Sequence, residues 1–91
     1  MEIKQEENRV VLVEKDGKEA GELTWKKVED GVVDFNHTFV DPTYRGQGVA
    51  GKLMQAAVFR ARKENWQVIP TCSYAVKAFN DKSEYQDVLK K

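Results

Sequence analysis

A cluster of glycines is the part of this sequence with the clearest chemical use. Gly46, Gly48 and Gly51 lie within six residues and directly precede a stretch with helical periodicity. Glycine lets the chain turn at such a junction, and the first N–H groups of the helix have no intrahelical partner. These donors and the positive end of the helix dipole suit a phosphate group. The alternative is a plain loop-to-helix junction in which glycine only permits the turn.

Two other side chains could carry out chemistry near neutral pH, the imidazole of His37 and the thiol of Cys72. Histidine exchanges protons in this range and serves as a general base. A thiolate can accept an acyl group if a cation, such as His37, or a helix start stabilises it. The alternatives are a core histidine bonded at one nitrogen and a small buried thiol. As the single cysteine, Cys72 forms no internal disulfide.

Two known phosphate-binding motifs match the glycine cluster only in part. Gly46-x-Gly48-x-x-Gly51 matches the dinucleotide fingerprint, but the next predicted strand ends in Val68-Ile69-Pro70-Thr71, without the acidic residue that binds the ribose. Gly46-x-x-x-x-Gly51-Lys52 matches a P-loop, but Leu53 stands where a Ser or Thr ligates magnesium. With 91 residues the chain is also too short for either domain, so both are excluded.

Length and charge limit the class of protein. The 91 residues form one domain, residues 1–91, and 41% of them are hydrophobic, enough for a small core. Fifteen Lys and Arg balance fifteen Asp and Glu, which argues against a nucleic acid or an anionic membrane as partner. No apolar run approaches the ~18 residues of a membrane span, and the first residues lack the apolar stretch of a signal peptide. We therefore expect a cytoplasmic domain.

The elements that must position these groups are predicted to be a β-meander followed by helix, strand and helix. Val- and Leu-rich stretches closed by Asp-Gly turns predict three antiparallel strands. The predicted strands are Glu7–Glu14, Glu19–Val28 and Val32–Val40, followed by a helix at Gly48–Glu64, a strand at Trp66–Ile69 and helical turns at Ala75–Phe79. Ser83-Glu84-Tyr85-Gln86 fits a capping box and predicts a terminal helix. The order βββαβα(α) predicts an α+β fold with one mixed, mostly antiparallel sheet.

Two further expectations concern the third predicted strand. Its two-residue period places Val33, Phe35, His37 and Phe39 on one face. Because a helix separates Trp66–Ile69 from this strand, we expect the two strands to be parallel neighbours.

Arg45-x-x-Gly48-x-Ala50 resembles the Arg/Gln-x-x-Gly-x-Gly/Ala signature of the GCN5-related N-acetyltransferase (GNAT) superfamily, and the surrounding Val40-Asp41-Pro42-x-Tyr44-Arg45-Gly46 strengthens the match. The resemblance runs from about residue 7 to residue 80. It implies a minimal GNAT fold in which two strands splay apart to admit acetyl-CoA. The chain lacks the amino-terminal strand and two helices usual in the superfamily, so it is similar to the short, single-domain branch known as YjdJ-type.

The resemblance implies a binding mode for acetyl-CoA. The amides of Gln47 to Lys52 would hold the pyrophosphate, with charge added by Arg45 and Lys52, and the edge of Phe39-Val40 would pair with the pantetheine arm. The predicted cofactor-binding residues are Phe39, Val40, Arg45, Gly46, Gln47, Gly48, Val49, Ala50, Gly51, Lys52 and Asn80. Coenzyme A or acetyl-CoA is the expected ligand, and no metal is expected.

The resemblance also implies catalytic roles for three residues. A His in the strand before the motif and a Cys after the following strand recur in the short branch, and they match His37 and Cys72. His37 would be a general base or an orienting group, and Cys72 an acyl acceptor or a lining residue of the channel. Tyr74 would protonate the departing CoA thiolate; the alternative is a cap on the core.

The expected activity is acetyl transfer from acetyl-CoA to an amine of an unidentified acceptor. A non-catalytic CoA-binding module or sensor and a protein-interaction domain without a ligand are the alternatives. The protein is expected to be a monomer or a weak homodimer.

Overall fold

Five strands form one sheet in chain order, β1-β2-β3-β4-β5, in the computed structural model, which describes residues 1–91. The strands are β1 (Glu2–Gln5), β2 (Arg9–Val13), β3 (Glu19–Glu29), β4 (Val32–Val40) and β5 (Gln67–Pro70). The helices are α1 (Val49–Glu64) and α2 (Ser73–Asp81), with 3-10 turns at Pro42–Tyr44 and Ser83–Val88. The first four strands pair antiparallel, whereas β5 pairs with β4 in parallel. The mixed α+β fold and the parallel neighbour are both confirmed.

The two ends of the chain differ from the sequence-based expectation. The exposed strand β1 was not predicted; it pairs with β2 through Glu2–Gln5. The capping box at Ser83 is wrong, because residues Ser83–Val88 form a 3-10 turn without a side-chain cap. The side-chain amide of Gln86 donates to the carbonyl of Phe79 at 2.7 Å, so it does not reach back to the start of the turn.

The predicted face of His37 is wrong, because a β-bulge precedes this residue. Phe35 pairs with Trp25 on β3, but His37 pairs with Thr24, so Asn36 is an extra residue on β4. Val33 and Phe35 are fully buried, whereas His37 and Phe39 are exposed. The two-residue period therefore holds on each side of Asn36 but not across it. Beyond the bulge, His37 and Phe39 face away from the core.

The sheet packs against the helices through one cluster of 18 buried side chains. The apolar stripe of α1 supplies a third of them and confirms the predicted helical period, although Ala50 is only half-buried. The buried residues of α1 are Val49, Leu53, Met54, Ala57, Val58 and Ala61. This packing fixes the start of α1 against the sheet. No helix has the length and apolar character needed to cross a membrane.

Gly21 brings β3, β4 and the start of α1 close together. A Cβ at this position would lie 2.7 Å from the carbonyl oxygen of Phe39 and 3.1 Å from side-chain atoms of Val49 and Leu53. Only glycine leaves room for this approach. The glycine thus helps to set the distance between the glycine loop and the end of β4.

Candidate active site

The start of α1, from its N-cap Gly48 onward, presents four backbone N–H groups without an acceptor. The amides of Gly48, Val49, Ala50 and Gly51 make no hydrogen bond within the chain, whereas the amides of Gln47 and Lys52 donate to the carbonyls of Tyr44 and Gly48. The N-cap of α1 is Gly48, which has no side chain that could accept a hydrogen bond from these amides. Four free donors at the positive end of a 16-residue helix form an anion site.

The space on the Cβ side of the three glycines is open. Gly46 and Gly48 adopt positive φ angles of 82° and 75°, in the left-handed region that favours glycine. A Cβ placed on Gly46, Gly48 or Gly51 would find no atom within 4 Å. A phosphate group can therefore approach the backbone, so the loop fits the pyrophosphate of acetyl-CoA as the resemblance implies.

Strands β4 and β5 pair over only part of the length of β4. Their pairing ends at Phe35 opposite Pro70, whereas β4 continues to Val40 with β3 as its only neighbour. Phe39 and Val40 lie on this free stretch; Phe39 is exposed and Val40 packs against the core. The open edge of β4 can accept an extended, amide-bearing chain such as a pantetheine arm.

The thiol of Cys72 lies where the two strands diverge. The backbone amides of Thr71 and Cys72 both donate to the carbonyl of Phe35, at the last paired position of β4. The sulfur is 3.4 Å from the hydroxyl of Thr38 and accepts a hydrogen bond from the amide of Ala75. Cys72 is thereby the N-cap of α2, at a helix end that favours negative charge.

His37 is not brought together with Cys72. Its side chain is 55% exposed, and its Nε2 lies 3.7 Å from a carboxylate oxygen of Glu22. Because side chains alternate along a strand, Thr38 faces Cys72 and the neighbouring His37 faces the other side of β4. Of the two groups expected to stabilise a thiolate, the helix start is adjacent to the sulfur and the imidazole is not.

A groove of about 370 Å³ runs from the glycine loop to α2. Gly48, Gly51 and Lys52 line it on one side, and Tyr74 and Lys77 line it on the other. Tyr74 is half-buried, and burial raises the pKa of its hydroxyl above the usual 10.0. The hydroxyl thus stays protonated at neutral pH and can donate a proton.

Eight of the eleven predicted cofactor residues do not line this groove: Phe39, Val40, Arg45, Gly46, Gln47, Val49, Ala50 and Asn80. Of these, Arg45 and Asn80 are exposed. Several residues that do line it were not predicted. No sequence motif indicated Thr38, whose hydroxyl contacts the sulfur of Cys72. The spacing of Tyr74, Lys77, Ala78 and Asp81 at i, i+3, i+4 and i+7 would have placed all four on one face of α2, and all four line the groove.

Comparison with known protein families identifies the family of this chain. Residues 9–88 match the family described as GCN5-related N-acetyl-transferase. The chain belongs to the GCN5-related N-acetyltransferase family. The resemblance found in the glycine motif is confirmed, and by family and fold the chain is a GNAT-type acetyltransferase. The assignment to the YjdJ-type branch stays a prediction.

Solved structures of GNAT proteins share the fold. The solution structure of a GCN5-like candidate N-acetyltransferase from Staphylococcus aureus has 35% sequence identity and a TM-score of 0.79, with 98% of this chain and 87% of that chain covered. A GNAT family N-acetyltransferase from Escherichia coli, solved in complex with CoA, has 19% identity and a TM-score of 0.67, with 78% and 43% covered. Tetrahymena GCN5 has 14% identity and a TM-score of 0.68, with 91% and 59% covered.

The chain thus spans most of the Staphylococcus aureus protein and about half of the other two. No curated protein matches the sequence.

Proposed function

We propose that this GNAT protein transfers the acetyl group of acetyl-CoA to an amine of an acceptor molecule. The observation that carries the proposal is the set of free amides at Gly48–Gly51, among glycines whose surroundings are open. The edge of β4 beyond Phe35 is unpaired as well. The pyrophosphate of acetyl-CoA would bind to these free amides, and its pantetheine arm would bind to the backbone at the open edge of β4. Lys52 would add positive charge. The CoA complex of the Escherichia coli relative supports this choice of ligand.

The reaction needs a neutral amine, a base that takes its proton and a donor for the leaving thiolate. The amine nitrogen forms a bond to the thioester carbonyl carbon, the carbon–sulfur bond breaks, and the thiolate of CoA takes up a proton. In this proposal His37, on the face of β4 opposite Thr38, accepts the proton of the amine; its Nε2 lies 3.7 Å from a carboxylate oxygen of Glu22. Tyr74, whose hydroxyl is protonated at neutral pH, donates to the thiolate.

Cys72 offers a second route to the same products. Its sulfur would attack the thioester first and release CoA, and the amine would then attack the acetyl-cysteine. The position of the thiol at the divergence of β4 and β5 and at the start of α2 supports this route. Direct attack by the amine leaves Cys72 as a lining residue.

Thermal unfolding with CoA tests the binding step. A ligand at one hundred times its dissociation constant stabilises the native state by about 2.7 kcal/mol, which raises the Tm of a domain of this size by roughly 10–20 °C. Gly48→Glu places a carboxylate in the anion site and should abolish the increase. Gly31→Glu is the matched control, because Gly31 has a φ angle of 74° and equally open surroundings.

The two glutamate variants share the backbone strain, so only the loss of the CoA response at Gly48 reports on binding. A wild-type Tm that does not change with CoA would contradict the proposal and favour an interaction domain without a ligand.

The alternative function is a CoA-binding module or sensor without turnover. Release of free thiol from acetyl-CoA, measured with a panel of primary amines, separates the two. Thiol release that depends on the amine supports the transferase, whereas CoA binding without release supports the sensor.

A further inference from the structure

Strand β1 exposes one edge that carries regularly spaced, unpaired backbone groups. The sheet ends at β1, whose single neighbour is β2. At the turn between them the amide of Glu6 donates to the carbonyl of Arg9. Because bonded pairs alternate in an antiparallel ladder, Glu2 and Lys4 direct their backbone groups toward β2. Ile3 and Gln5 direct theirs outward, where another strand can pair with them.

The same edge carries exposed apolar side chains on its helix side. Ile3 pairs with the core residue Leu12, so its side chain lies on the face covered by α1. Ile3 is 37% exposed, and Phe59 of α1 is 63% exposed. Together with Met1 they line a groove of about 600 Å³ between β1 and α1. This apolar strip has no partner within the chain.

Side-chain hydrogen bonds hold the edge in place. The side-chain amide of Gln5 donates to the carbonyl of Ala56 at 3.1 Å. Arg60 donates to the side chain of Gln5 and to the carbonyl of Glu6. The edge is therefore ordered before any partner binds, which lowers the entropy cost of pairing.

We propose that a second copy of this chain pairs with β1 in antiparallel orientation, with Ile3 opposite Ile3 on a two-fold axis. This register lets the outward backbone groups of the two Ile3 residues bond to each other. It also places Glu2 opposite Lys4 of the second copy, twice, on the sheet face away from α1. An axis at Lys4 would instead place the two like-charged Lys4 side chains opposite each other, which is unfavourable.

The dimer joins two five-stranded sheets into one sheet of ten strands. On the helix face, Ile3 and Phe59 of both copies meet between the two α1 helices. Because β1 has only four residues, the contact is small and the dimer is expected to form at high protein concentration.

Sedimentation velocity over a concentration series tests the proposal with charge-reversal variants. In Glu2→Lys, the new lysine lies opposite Lys4 of the second copy at both contacts. In Lys4→Glu, the new glutamate lies opposite Glu2 of the second copy. Each variant alone should dimerise at least tenfold more weakly than the wild type. The double variant E2K/K4E restores the pairs and should dimerise as the wild type does, and an equimolar mixture of the two single variants should form a heterodimer.

Phe59→Lys should also weaken the dimer. Val28→Lys should not, because Val28 is an exposed apolar side chain on β3, outside the proposed interface. All substituted residues are exposed, so circular dichroism is expected to show the native fold in every variant. A monomer at all concentrations overturns the proposal. So does a dimer that both single charge reversals leave unchanged, since that dimer uses another surface or another register.

Discussion

The hydroxyl of Thr38 and the sulfur of Cys72 lie 3.4 Å apart, and this contact joins the free end of β4 to the start of α2. The same sulfur accepts the amide N–H of Ala75 and so caps α2. Cys72 therefore has a structural role as an N-cap, whichever chemical role it has. Substitutions that keep the cap can separate the two.

Cys72→Ser is expected to retain the fold and lose any acyl-enzyme. Serine is a good N-cap, whereas Cys72→Ala removes the cap and should cost about 0.5–2 kcal/mol of unfolding free energy. If Cys72 is the acyl acceptor, intact-mass spectrometry after incubation with acetyl-CoA alone shows one added acetyl group on the wild type and none on either variant. An unmodified wild-type protein would count against the covalent route and leave direct attack by the amine.

Tyr74→Phe is expected to lower kcat by about 10²-fold or more, the usual contribution of a general acid. The ring keeps its packing against the core, so the Tm and the response to CoA should not change. Tyr44→Phe is the control, since Tyr44 is also a half-buried tyrosine with a raised pKa. An unchanged kcat for Tyr74→Phe would indicate that the residue only caps the core.

Gly21→Ala is expected to destabilise the protein by about 1–3 kcal/mol, the usual cost of overpacking. The new methyl group would lie 2.7 Å from the carbonyl oxygen of Phe39, a backbone atom that cannot rotate away. Gly51→Ala provides a contrast, because Gly51 lies in α1 and a methyl group there would find no atom within 4 Å; this variant should gain about 0.5–1 kcal/mol. Urea unfolding measures both changes, and equal effects would refute the close approach at Gly21.

The ion pair between Arg9 and Glu19 predicts a loss of stability in acid. Two hydrogen bonds from the guanidinium lower the pKa of Glu19 below its usual 4.5. A carboxyl whose pKa is lower in the folded state stabilises the fold above its unfolded pKa, and this contribution disappears as the pH falls through the folded pKa.

The difference in unfolding free energy between wild type and Glu19→Gln should therefore be present at pH 6 and vanish well below pH 4.5. Because the Glu19 side chain is 49% exposed, solvent screening keeps the difference below about 1 kcal/mol. A difference that is independent of pH would show that the charge of Glu19 does not contribute.

Local sequence signals predicted the elements that build the candidate site. The Asp-Gly turns placed β3 and β4 correctly, and the apolar stripe placed α1 to within one residue of its observed start. These signals suffice because they arise from residues close in sequence, such as the glycines that begin α1. The loop and the parallel neighbour of β4 followed from the same signals.

Features that depend on pairing between distant residues escaped prediction. Strand β1 contains one apolar residue, Ile3, and becomes a strand because β2 offers it a ladder of backbone partners. The extra residue Asn36 has no local signature, since only the register against β3 reveals it. For this reason the periodicity could not place His37, and the contact of Thr38 with Cys72 was not foreseen.

The bulge at Asn36 makes the register of β4 against β3, more than the composition of β4, decide which side chain meets the thiol. If β4 slipped by one residue so that Asn36 paired with Thr24, residues 37–40 would change faces, turning the imidazole of His37 inward and the hydroxyl of Thr38 toward solvent. Such a slip in register would thus exchange the neighbour of Cys72 while every side chain stayed chemically intact. The pairing register of one strand therefore decides which side chain lies in the candidate site.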